Sequence, residues 1–131
     1  MIRFDPNKTL DQLDPSAWGK PEYDSHLVTT CHRLRQQPPR EFSVEDLRIM
    51  IGQGISLPWL MPLAVEALEA DPLAEGDFYP GDLLAAVLRV PPDYWSSAPE
   101  WLYRTKALLD RIPELSKDLA EAVAAVREVA A

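Results

Sequence analysis

The sequence holds a single cysteine, Cys31, in 131 residues. One thiol closes no internal disulfide and forms no CxxC pair, which excludes a disulfide framework, a zinc ribbon and a dithiol redox centre and suits a reducing compartment. Histidine is almost as scarce. His26 and His32 are six apart and fall on different faces of a helix, whereas helical zinc ligation uses an i, i+4 pair as in HExxH. Cys31 and His32 do not converge either, because adjacent helical positions point about 100° apart. Cys31 reads as a core residue and both histidines as partly exposed, with no metal and no cofactor expected. Walker A, dinucleotide-glycine and nucleophile-elbow motifs are missing, and Ser56 and Ser97 have no neighbouring base. No catalytic residue is assigned, and an enzyme is not expected. There is no alternating β-branched run to build a sheet. Met1 to Leu10 carries Arg3, Asp5 and Lys8 and no apolar stretch of secretory type. The uncharged run Ile49 to Val65 is broken by Gly52, Gln53, Gly54, Pro58 and Pro62, so it reads as a helix end, a turn and a second helix. A soluble, cytoplasmic protein without a membrane span is expected.

What is present is acid. There are 21 acidic against 13 basic side chains, a net charge of −8. A field of that sign repels phosphate backbones and speeds encounter with basic partners. Between Arg48 and Arg89 there is no lysine or arginine, yet Glu66, Glu69, Asp71, Glu75, Asp77 and Asp82 all lie there. The stretch reads either as a solvated face plus a polar turn or as a docking surface for a basic protein. Arg33, Arg35 and Arg40 form too small a basic cluster for direct nucleic-acid binding; pairing with Glu41, Glu45 or Asp46 is expected instead.

The apolar residues, 47% of the chain, recur at helical spacing. Residues 1–8 read as a loosely ordered arm and 9–131 as one helical domain, long enough to bury roughly two thirds of its extended-chain surface. Thr9 caps a short turn through Leu13. Trp18 and Tyr23 pin a Pro/Gly-rich loop, and a helix capped by Asp24 or Ser25 carries a stripe of Leu27, Cys31 and Leu34 to Pro38-Pro39. Ser43 with Asp46 spells a capping box, followed by Val44, Leu47, Met50 and Ile51 and a stop at Gly52 and Gly54. Pro62 places the regular part of the next helix near Met61, with Leu60, Ala64, Ala67 and Leu68 inward. After the turn at Gly76, Pro80 is expected at the first position of a helix buried by Leu83, Leu84, Val87 and Leu88. Pro91-Pro92 ends that helix, and the segment through Ser97 reads as a loop. Ser97 with Glu100 suggests a second capping box, ahead of Trp101, Leu102, Leu108, Leu109 and Ile112. Beyond a break at Pro113, Leu115, Leu119, Ala122, Val123 and Val126 line a last helix. The fold class is all-α: a compact single-domain bundle of about five principal helices with short Pro/Gly-rich loops.

The carboxylates Glu75, Asp77 and Asp82 offer too few oxygens at the wrong spacing for a calcium loop; turn and cap roles account for them. Of the tryptophans, Trp59 and Trp101 read as core. Trp95, in Pro-Pro-Asp-Tyr-Trp-Ser-Ser, is placed evenly between core and an aromatic interface anchor.

Leu47 to Leu57, Leu63 to Leu68 and above all the run LAEGDFYPGDLL (Leu73 to Leu84) resemble the immunity proteins of bacterial contact-dependent growth inhibition systems. Leu10 to Leu13, Trp18-Gly19 and Asp24 to Arg35 look like the same family's opening, so the likeness spans roughly Thr9 to Val90. The resemblance implies a cytoplasmic antitoxin that binds and blocks the C-terminal toxin domain of a delivered surface protein, as a heterodimer. Many such toxins are nucleases with a cationic cleft that carboxylates suit. Because antitoxins of one family face different toxins, the shared run itself reads as scaffold, with Asp82 structural. The acidic residues Glu66, Glu69, Asp71, Glu75 and Asp77 are then the expected toxin-binding surface. The other reading is a helical regulatory adapter for another protein's amphipathic segment.

Overall fold

The structure, a computed structural model, describes residues 4–5, 7–14, 26–112 and 117–129, apart from the side chain at 118. The expected aromatic pins Trp18 and Tyr23, the cap at Asp24 or Ser25, the break at Pro113 and the core role of Leu115 lie outside the described residues.

Among the described residues the fold is all-α, with eight helices and no strand. These are α1 (Leu10–Leu13), α2 (His26–Arg35), α3 (Val44–Gly52), α4 (Leu57–Ala70), α5 (Asp82–Leu88), α6 (Pro92–Ser97), α7 (Pro99–Leu109) and α8 (Lys117–Arg127), with a 3-10 turn at Pro39–Glu41. Five of them, α2, α3, α4, α7 and α8, run nine residues or more. α4 is the axis: it packs on α3, α5, α7 and the 3-10 turn, and α8 closes the far side against α5 and α7. One continuous core results, in which Met50, Leu60, Met61, Leu68, Leu83, Leu84 and Leu102 have essentially no exposure.

Local signals set several boundaries. Thr9 and Ser43 each form a reciprocal capping box, with Gln12 and Asp46 respectively. α3 ends as a Schellman motif: Ile55 N–H donates to Met50 O at 2.9 Å and Gly54 N–H to Ile51 O at 2.9 Å, with Gly54 at φ 69°. Elsewhere the expectations need correction. α4 is continuous from Leu57 despite Pro62, because Pro62 is buried and packing on four neighbours outweighs one missing backbone bond. Pro80 is not the first residue of α5; Gly81, at φ 91°, is the N-cap and Asp82 comes first. The Pro-Pro segment is not a loop, since Pro92 opens the short helix α6. Ser97 is that helix's last residue and donates to Tyr94 O at 2.7 Å, so it caps nothing in α7, whose N-cap is Ala98.

Trp95 is 1% exposed, which removes it as a surface anchor: α6 turns it into the core, edge-on to Tyr94. Its indole N–H has no hydrogen-bond partner among the described residues. Trp59 and Trp101, read as core, are only half-buried against it.

α2 shows the largest departure. Its buried side chains are Thr30, Cys31, Leu34 and Arg35, while Leu27 is exposed. Arg35, 2% exposed, does not pair with Glu41, Glu45 or Asp46. Its Nε donates to Asp11 at 2.9 Å, and its Nη1 donates to Asp14 at 3.1 Å and to the Ser56 hydroxyl at 3.2 Å. Ser56 in turn donates to Asp14 at 2.8 Å. This network ties α1 and α2 to the start of α4, and it holds Ser56 at φ 54°, in the left-handed region. Cys31 lies in the core, where burial pushes its thiol pKa up.

Candidate docking surface

The segment joining α4 to α5 is the most heavily tied irregular backbone described. α4 ends at Ala70, and the Asp71 carboxylate accepts Leu73 N–H at 3.2 Å. The chain then runs out and back: Gly81 N–H donates to Leu73 O at 3.1 Å, and Glu75 bridges Pro80. Two carboxylates brace the loop from beneath. Buried Asp82 accepts Gly76 N–H at 2.7 Å and Phe78 N–H at 3.1 Å; Glu45, reaching over from α3, accepts Asp77 N–H at 3.0 Å. Arg48 grips Glu45 with two bonds of 2.6 Å, stands 3.8 Å from Asp82 and lies over the Phe78 ring at 4.4 Å. That guanidinium holds the Glu45 carboxyl below the usual carboxylate range, and Glu45 raises the arginine in return.

Gly76 is required by this cradle, because a Cβ there would meet Glu45 Oε1 at 2.5 Å and Asp82 Oδ2 at 3.0 Å. Gly81 combines positive φ with Leu119 and Leu73 methyls at 3.2 and 3.3 Å from where its Cβ would stand. Half of the LAEGDFYPGDLL run is thus buried scaffold, Asp82 included. The other half faces out: Phe78 is 68% and Tyr79 44% exposed. Both rings border a groove of about 480 Å³ whose other lining includes Ile51, Gly54, Ala85, Ala86, Arg89 and Val90.

The five carboxylates expected to form a surface divide into two groups. Asp71, Glu75 and Asp77 are exposed on the loop. Glu66 and Glu69 are half-buried on α4. Glu69 is held in a two-pronged pair by Arg104 of α7, which depresses its pKa, and Arg111 donates to its backbone carbonyl at 2.8 Å. Glu66 lies within the field of the same Arg104. Arg104 of α7 and Arg111 just past its end therefore meet the part of the acidic stretch that lies on α4. Phe78 and Tyr79 were not singled out from the sequence; adjacent aromatics between two turn glycines were the signal available.

Among the described residues no group of three or more His, Cys, Asp or Glu side chains is placed to hold a metal, and no helix is long and apolar enough to cross a membrane. The arrangement is suited to contact: a fixed loop with apolar rings and carboxylates turned outward.

A model of the family described as CDI immunity proteins matches residues 12–104, which include α2 to α6, the braced loop and the groove. No curated protein matches the chain.

Proposed function

Since the chain belongs to the CDI immunity proteins, whose members are generally non-enzymatic inhibitors of a cognate toxin, we propose that it neutralises the C-terminal toxin domain encoded with it. The complex is a heterodimer formed in the cytoplasm, and the toxin is a nuclease with a cationic cleft. The chain acts by occupancy and turns nothing over. The family match over residues 12–104 carries this reading. The net charge of −8 supports it, because an acidic inhibitor is steered to a cationic cleft and its carboxylates stand in for phosphates. The acidic contact surface is that of Glu66, Glu69, Asp71, Glu75 and Asp77, with the three loop carboxylates foremost because Glu69 is already paired.

The test is co-expression with the toxin domain of the same locus. A one-to-one complex and full protection of tRNA or DNA from that domain are expected. A chain that leaves the toxin active while capturing a helical segment of another protein would restore the adapter reading.

A further inference from the structure

We propose that Phe78 and Tyr79 form the apolar centre of the contact with the toxin, with Asp71, Glu75 and Asp77 as its charged rim; this rests on the inhibitor reading above. The surface thereby fits a cationic protein patch that carries a side chain able to enter the groove beside the rings.

Exposure comes first. Among the described residues the exposed large hydrophobics are Leu27, Leu73, Phe78, Tyr79 and Tyr103, and three of these five lie on the one loop. Singly exposed apolar residues need no account, whereas a cluster at a groove marks a binding surface. Rigidity comes second. The loop backbone is tied by Asp82, Glu45 and the Leu73–Gly81 bond, and Arg48 stacks on Phe78 while gripped by Glu45. None of these bonds buries the Phe78 or Tyr79 ring. The scaffold fixes the loop and leaves its aromatics in water, so little ordering remains to be done on association. Such a pair is what binding centres use, aromatic rings inside a ring of polar contacts that excludes water.

Charge selects the partner. The loop exposes three carboxylates, and no lysine or arginine occurs from 49 to 88. Of the two cations lining the groove, Arg48 is already paired with Glu45, and Arg111 lies beside Asp71 at a separate cleft, which leaves Arg89 and Arg111 against the three loop carboxylates. A cationic patch gains from that rim and from the face of the Tyr79 ring, since Arg48 already lies over Phe78.

The experiment measures association and dissociation of the full chain with its toxin domain for four proteins: wild type, Phe78→Ala/Tyr79→Ala, Glu75→Gln/Asp77→Asn and Tyr103→Ala. Tyr103 is a matched control, 72% exposed on α7. The aromatic double variant is expected to bind roughly 100-fold more weakly, mainly through faster dissociation. The carboxylate variant is expected to associate more slowly at low salt, and Tyr103→Ala to bind within about twofold of wild type. If wild type binds and the aromatic variant binds within about threefold of it, the docking surface is overturned and the inhibitor reading stands. If wild type fails to bind any toxin of its locus, both fall. If the wild-type chain alone forms a dimer that the aromatic variant abolishes, the rings serve a second copy and the proposal is wrong.

Discussion

Arg35 reaches residues 21 and 24 positions away from it through two carboxylates and a serine hydroxyl. Arg35→Ala deletes a buried guanidinium together with its bonds to buried Asp14 and Ser56, so it is expected to lose about 3 kcal/mol in a urea titration. Ser56→Gly separates two effects at one site. Glycine relieves the left-handed backbone, but it deletes the hydroxyl that bridges Arg35 and Asp14. If the hydroxyl dominates, the variant is destabilised by about 1 kcal/mol or more; an equal or raised midpoint would assign the site to backbone strain. Trp95 offers a contrast. Trp95→Ala opens a cavity and should lose about 3–5 kcal/mol. Trp95→Phe removes a buried N–H that has no partner among the described residues, so its loss should be much smaller in the same titration.

At the scale of elements, what was legible in the sequence was whatever a residue does to its near neighbours. The cap at Thr9, the box at Ser43, the stop at Gly54 and the turn at Gly76 act over three or four positions, and all were readable, though the reciprocal bond to Gln12 at Thr9 was not. Ser97 was misread because the same residue types also bond backward to a carbonyl, here Tyr94 O, and position alone does not say which. Asp82, read as structural in a turn or cap role, is the first residue of α5, and its carboxylate serves the loop before it. The loop's stability should follow pH through Glu45. Folding depresses the Glu45 pKa through Arg48, so its contribution is complete above the unfolded value of about 4.3 and is lost as pH falls through the folded one. Wild type should therefore lose stability on acidification across that window, and Glu45→Gln should show a shallower slope; parallel curves of urea midpoint against pH would refute the assignment.

Over the whole molecule, the linear charge map misleads in one respect. The lysine- and arginine-free stretch suggested a continuous acidic surface, but folding brings Arg104 to Glu69 across 35 positions and Arg111 to the end of α4. No local pattern announces pairs at that separation, nor the inward turn of Trp95. What survives folding is a net charge of −8 with exposed carboxylates on the loop. Association with a cationic toxin should accordingly slow by about tenfold between about 0.05 M and about 0.5 M salt, with dissociation changing little. A rate indifferent to salt would show that steering plays no part.

The solitary thiol of Cys31 gives this fold a built-in clock. It is 3% exposed and disfavoured as thiolate by its burial, so a thiol-reactive dye must wait for α2 to lift from the core. Labelling kinetics would then time each opening of the chain directly. Arg35→Ala, which unfastens the same helix, should let the dye in sooner.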